Sequence, residues 1–189
     1  DAQEEHAELV SKTQILNGVT ASEEFELFET MAWTANDGPL NLAAHLRRMS
    51  SSAECFGIAF NAVDARQAIE AATAACVQPP ASTSAVTMYR LRLSLSGGGM
   101  FAATLQPGPP AIRRVQKVAV APSPVSSKDP VLGHKTNQRL VYVQAKDAVT
   151  KAYGEDIEPL LVNERGEVTE TDIANVVLSL IHISEPTRQ

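Results

Sequence analysis

Cysteine is scarce in this chain. Cys55 and Cys76 are its only two, they form no CxxC pair or Cys/His cluster, and neither a disulfide framework nor a zinc site follows from them. Both read as reduced thiols that pack like small hydrophobes. The four histidines, His6, His45, His134 and His182, lie far apart with no ligand spacing, so a metal is not expected. Basic charge is also short: Lys and Arg number 16 against 22 acids, for a net charge of -6 and a pI near 5.2. That leaves no basic stripe to neutralise phosphates, which argues against a nucleic-acid partner. No apolar run reaches membrane-spanning length, and the N-terminus "DAQEEHAELVSK" is acidic where a signal peptide would be basic and then apolar. A cytoplasmic protein is the expectation. What remains is 189 residues, 44% hydrophobic and 20% charged, enough for one or two domains with a real core.

The pattern between the ends is mixed α+β. "FELFETMAW" alternates, "TANDGP" supplies turn chemistry and "LNL" resumes an extended run, which predicts a hairpin. Leu42, Leu46, Met49, Ala53 and Phe56 then recur at helical spacing, and Gly57 suits the residue past a helix end. Asp64 is a candidate cap for a second, alanine-rich helix, "ARQAIEAATAACV". "SAVTMYRLRLSLSGGGMFAATLQP" reads as two strands around a glycine turn. Residues 107–130 are proline-rich, with one short strand, "VQKVAVA", and are read as a linker. A helix from about Thr136 to Tyr153, a strand "EPLLVN", a turn "ERGE" and a strand "VTETDIANVV" follow.

Both ends look foreign to this pattern. Residues 1–20 are expected to be a linker or the tail of an upstream domain, because they begin with Asp and read as a charged helical stretch. "LSLIHISEPTR", residues 178–188, is what a common transposase sequencing adapter encodes in its first frame, every codon matching. Residues 178–189 are therefore excluded from functional reasoning, and the natural chain is expected to continue past Val177.

Lys135, in "VLGHKTNQRLVY", is where the chemistry gathers. A lysine before a helix is by itself a solvated charge, although the positive end of the helix dipole would make its amine a better nucleophile and base. Thr136 and Asn137 are candidate caps for that helix, and His134 reads as a bystander. "HKTNQRLVYVQAKDAVTKAYGEDIEPLLVNERGEVTETDIANV" resembles the core of fold-type IV pyridoxal-phosphate enzymes: branched-chain aminotransferases, D-amino acid transaminases and aminodeoxychorismate lyases. The resemblance implies that Lys135, opening a "K-T-x-x-R" helix, forms the cofactor Schiff base. It likewise implies that Glu170, on the following hairpin, faces the pyridine nitrogen, with Asn175 five residues on. A carboxylate there keeps the ring nitrogen protonated, so that the ring can drain electrons from a carbanion. Earlier, "FELFETM" and "LAAHLRRMSSSAECFGIAF" resemble the family's small domain, whose "H-L-x-R-L" helix sends an arginine to the cofactor phosphate. Arg48 matches it, and a guanidinium fork suits a phosphate. Arg47, about a hundred degrees away, reads as exposed, Phe28 as either a substrate-side or a core aromatic, and Arg92 is left without a role.

The fold implied is a two-domain α+β protein of fold type IV, with a small α+β domain over residues 21–108 and an incomplete, larger PLP-binding domain over 109–177. Because "FELFETM" follows directly on an acidic helix, the chain resembles the lyase half of fused aminodeoxychorismate synthase/lyase polypeptides. The implied activity is conversion of 4-amino-4-deoxychorismate to 4-aminobenzoate and pyruvate, toward folate. A branched-chain or D-amino acid transaminase is the alternative, and an inactive fragment that does not bind PLP is a third. A homodimer is implied by the resemblance alone.

Overall fold

Between Glu26 and Thr34 alternate side chains point to opposite sides of an extended strand, and Leu27, Met31 and Trp33 share one side. In the computed structural model, which describes residues 24–74, 88–108, 117–174 and 176, this stretch is β1, Glu26–Thr34. The chain divides into two units: residues 1–113 with 130–138, and residues 114–129 with 139–189. The expected upstream tail, the adapter-like segment, Cys76 and Asn175 lie outside the described residues.

The first unit is built on a four-stranded antiparallel sheet, in the order β2-β1-β3-β4. A turn after β1 leads into β2, Gly38–Pro39, so the expected hairpin forms with only a two-residue return. Next, α1 runs Leu42–Cys55 and buries Leu46, Met49 and Ala53 against the sheet. It stops at Phe56 and Gly57, whose φ of 65° is one that glycine adopts without strain. The second helix, α2, spans Ala62–Thr73. Its cap is Asn61, not Asp64: the Asn61 side chain accepts the Val63 N–H at 2.9 Å, and Asp64 lies within the first turn. β3, Tyr89–Ser96, and β4, Phe101–Pro107, form the hairpin expected around the glycines. Leu91, Leu93 and Leu95 of β3 are fully buried with Phe25, Leu27, Met49 and Ile69 in one core. Each such side chain contributes about 1.5–3 kcal/mol on leaving water.

Residues 134–137 return to this unit and lie along the free part of β1. Lys135 O accepts the Phe28 N–H at 2.9 Å, Thr136 pairs with Leu27, and Asn137 N–H donates to Glu26 O at 2.9 Å. The helix expected from Thr136 therefore begins later, as α3, Leu140–Tyr153. The Lys135 carbonyl and the Asn137 N–H are bonded to β1, the Asn137 side chain accepts from Glu26 N–H, and the Thr136 hydroxyl accepts from Gln138 N–H. Neither caps α3, which is preceded by Arg139. Lys135 is thus more than one helical turn away, and the helix-dipole argument for its amine lapses.

The second unit holds a three-stranded sheet, β5-β6-β7. β5, Lys117–Val120, runs parallel to β6, Ile157–Val162, and α3 makes the crossover between them. Ala145 and Val149 of α3 and Leu161 of β6 are buried. β6 pairs antiparallel with β7, Val168–Thr171, through a turn in which Asn163 Oδ1 accepts the Arg165 and Glu167 N–H groups. β7 is shorter than expected, because Thr171 Oγ1 accepts from Ala174 N–H and donates to its carbonyl, closing a bend. Strands in two sheets with helices beside them make this an α+β protein.

Candidate active site

The main chain of Lys135 is held on both sides, by Phe28 through its own carbonyl and by the Thr136–Leu27 bridge beyond it, while its side chain is exposed. Its Nζ lies 5.8 Å from the centroid of the Phe28 ring. Arg92 stacks on the same ring, with Cζ 3.9 Å from the centroid, and donates to Glu26 Oε2 at 2.9 Å. Phe28 therefore serves neither as core nor as a bare surface ring: it carries two cations, a favourable arrangement for an aromatic face. Before the lysine, His134 packs edge-on against Phe56 at 5.0 Å and its Nδ1 lies 2.9 Å from Ser52 Oγ. Burial lowers the pKa of His134, and the residue read as a bystander is a wedge that seats the lysine segment.

Arg48 lies on α1 and reaches the other side of β1. Its Nε and Nη2 donate to the two oxygens of Glu29, at 2.6 and 2.5 Å. Glu29 is only 1% exposed, and the His45 Nδ1 approaches its Oε2 at 2.8 Å. Hydrogen bonding to Glu29 raises the Arg48 pKa against the opposing effect of burial. A fork so committed meets a further anion only with its remaining edge, on a side chain about half exposed. Neighbouring positions on a strand face opposite ways, so Arg48 meets Glu29 on the helix-covered side and Lys135 meets Phe28 on the open side.

Glu170 belongs to the second unit, near the end of β7. Its Oε1 accepts a hydrogen bond from the Tyr142 hydroxyl at 2.7 Å. Burial, then the neighbouring Glu170, pushes the Tyr142 pKa well up, so the hydroxyl stays a donor at any working pH. Arg139, the arginine of the "K-T-x-x-R" stretch, lies 4.4 Å over the Tyr142 ring and is tied to the carbonyl and carboxylate of Asp172. Asp172, Arg139, Tyr142 and Glu170 thus link the start of α3 to the end of β7, and among the described residues Glu170 Oε2 accepts no hydrogen bond.

Sequence reasoning passed over Glu29, His45, Arg92 and Tyr142. Tyr142 carried a signal, one helical turn beyond Arg139 on the same face. Glu29 carried a weaker one, an acid in phase with buried residues of β1. Among the described residues, no group of three or more His, Cys, Asp and Glu side chains is placed to hold a metal ion, and no helix is long and apolar enough to cross a membrane.

Comparison with known proteins supplies the class. Residues 26–180 match the class IV amino-transferase family, and the chain belongs to it. A solved structure from Mesorhizobium loti, described as a candidate amino-acid aminotransferase, is 33% identical, with a TM-score of 0.62 over 78% of this chain and 66% of that one. A candidate 4-amino-4-deoxychorismate lyase from Legionella pneumophila is 20% identical, with a TM-score of 0.57 over 77% of this chain and 55% of that one. A fold IV transaminase from Curtobacterium pusillum, 16% identical with a TM-score of 0.51 over 77% of this chain and 53% of that one, shares the fold. No curated protein matches the chain. The chain spans two thirds or less of the length of these solved structures.

This is a family of PLP-dependent enzymes. Taken one by one, the groups are of the types such a cofactor uses, an exposed primary amine, a carboxylate with one oxygen oriented by a tyrosine and an arginine with one edge open, but Arg48 and Lys135 lie on opposite sides of β1 and Glu170 belongs to the other unit.

Proposed function

We propose that the protein is a PLP-dependent 4-amino-4-deoxychorismate lyase, releasing 4-aminobenzoate and pyruvate. The observation that carries the reading is Lys135, whose main chain is clamped to β1 while its amine stands exposed beside the Phe28 ring. The placement of "FELFETM" directly after an acidic stretch turns the family reading toward the lyase. When bound, the cofactor supplies an electron sink for a carbanion. In this reading Lys135 binds the cofactor and then, as a free amine, takes the proton from the substrate carbon that bears nitrogen and returns one to the departing enol. Glu170, whose Oε1 is held by Tyr142, would hold the pyridine nitrogen of the cofactor and keep it protonated, with Asn175 five residues on as a further candidate. Arg48 offers its remaining edge to the phosphate. Folate biosynthesis, a cytoplasmic location and a homodimer belong to the same reading, and sedimentation analysis checks the last.

A second reading, an amino-acid transaminase of the same fold, is favoured by the 33% identity to the candidate aminotransferase. The same Lys135 amine would take the first proton in that reaction too, so the two readings differ only in the product released. Incubation with aminodeoxychorismate, and separately with D-alanine or a branched-chain amino acid plus 2-oxoglutarate, separates the two. Keto acid exchange without 4-aminobenzoate would overturn the lyase. The third reading, a fragment that holds no cofactor, predicts no lysine-dependent visible absorption from the 189-residue chain.

A further inference from the structure

Within the second unit, three side chains stand in line behind the Glu170 carboxylate. Glu170 itself lies in β7 between two threonines whose hydroxyls are both spent on the main chain: Thr169 donates to Leu161 O at 3.2 Å, and Thr171 closes the bend with Ala174. The Tyr142 hydroxyl, from the first turn of α3, donates to Glu170 Oε1 at 2.7 Å, and among the described residues Oε2 accepts no hydrogen bond. The phenol is placed from behind. Arg139 lies 4.4 Å over its ring, and Asp172 holds Arg139 by its carbonyl, 2.7 Å from Nη2, and by its carboxylate.

A phenol held protonated is a means of choosing between two equivalent oxygens. Burial first, and then Glu170, keeps the Tyr142 hydroxyl protonated well above the ordinary tyrosine range, while the Arg139 charge over the ring pulls the other way and strengthens the O–H as a donor. The last torsion of a glutamate is broad, so a carboxylate free at both oxygens turns; one bonded at Oε1 offers a single oxygen in a set plane. A guanidinium fork takes both oxygens at once. With one oxygen committed, the carboxylate is shaped for a single N–H, such as that of a protonated ring nitrogen.

We propose that Tyr142 is a positioning residue for the ring nitrogen of a pyridine cofactor: its hydroxyl fixes Glu170 Oε1 so that Oε2 alone meets the N–H, and the Arg139–Asp172 pair keeps the phenol in place. The proposal rests on the cofactor reading above, but it needs neither Lys135 nor a particular reaction.

The test uses pyridoxine 5′-phosphate, which carries an alcohol in place of the cofactor's aldehyde and so forms no bond to a lysine, and its 1-deaza analogue, in which C–H replaces the ring nitrogen. Both are titrated by calorimetry into the full chain. Tyr142→Phe, which keeps the ring under Arg139, is expected to weaken the pyridine compound about tenfold, as loss of a hydrogen bond to a charged group does, and to leave the deaza analogue unchanged. Glu170→Gln should weaken it further, and the double variant should be no worse than Glu170→Gln alone, because the hydroxyl acts only through that carboxylate. With the ring nitrogen labelled with nitrogen-15, the bound compound should show the shift of a protonated nitrogen at slightly alkaline pH, and Tyr142→Phe should move it toward the unprotonated value, which a merely structural tyrosine would not do. Asp172→Asn should have a smaller effect, since its carbonyl still holds Arg139. Near-ultraviolet dichroism checks that each variant is folded. Equal affinity of wild type and Tyr142→Phe for the pyridine compound, or an equal loss for the deaza analogue, overturns the proposal. The two readings fail separately: Lys135-dependent visible cofactor absorption without any Tyr142 effect keeps the enzyme and rejects the positioning role, and Tyr142-dependent binding by a chain that converts neither substrate does the reverse. A wild-type chain that binds neither compound overturns both.

Discussion

On one side of β3, Leu91, Leu93 and Leu95 are wholly buried; on the other, Arg90, Arg92 and Ser94 are partly or largely exposed. β1 divides in the same way, with Leu27, Met31 and Trp33 inward and Phe28 and Thr30 outward. The inward residues can be changed only at a cost in packing, because a dry, close-packed interior has no room to relax. The outward residues are free to be chosen for what they bind. Glu29 is the exception, an acid on the packed side, tolerated because Arg48 and His45 satisfy it. The contrast teaches that one strand can carry packed apolar side chains on one face and exposed polar and charged ones on the other, residue by residue.

The largest effect should come from the open side. Lys135→Ala is expected to lower activity by at least about 1,000-fold, as losing a covalent and proton-transferring group does, while the thermal midpoint, read by calorimetry, stays put because the side chain is exposed. A midpoint that falls with activity would make the lysine structural and erase the contrast. From the packed side, Leu93→Ala should cost about 3 kcal/mol in denaturant unfolding, against less than about 0.5 kcal/mol for Thr104→Ala on the same sheet's open face. Equal losses would mean that the open face is covered by packing. Glu29→Gln should cost about 1–2 kcal/mol, since it removes the charge that two bases share but leaves Arg48 free to reach water.

The smallest effect is a pH dependence. His134 has a folded pKa below its ordinary value of 6.5 because burial disfavours the imidazolium. The unfolded chain then binds more protons than the native one between the two values, so stability rises with pH across that window. Native stability should therefore fall as pH drops below 6.5, and His134→Gln should flatten that part of the curve in urea titrations at several pH values. An unchanged slope would remove the histidine from the account.

Much of the fold was legible because local rules and tertiary packing agreed. Leu46, Met49 and Ala53 repeat at the helical period and are the buried face of α1, and the glycines after Ser96 turn where a hairpin needs them. Two expectations missed for different reasons. The second helix starts before Asp64, so Asn61 captures the Val63 N–H, whereas around Thr136 the Lys135 carbonyl and Asn137 N–H pair with β1 before α3 begins. Of the candidate site, Lys135, Glu170 and Arg48 were nameable from motifs, but Tyr142 as the partner of Glu170, and Glu29 as that of Arg48, were not. Those contacts join residues 28 and 19 positions apart, and no local period encodes such distances.

The amino-acid order by itself determined the element types, the alternation that sorts β1 and β3 into a packed and an open face, and the resemblance of residues 26–180 to the class IV amino-transferase family. Those are properties of short windows, set by backbone geometry and by which side chains leave water. Tertiary structure alone decided that residues 134–137 would lie along β1, so that Lys135 shares the Phe28 ring with Arg92. The physical reason is that β1 offers unpaired backbone groups beside Glu26 and Phe28, and a returning segment far away in sequence satisfies them.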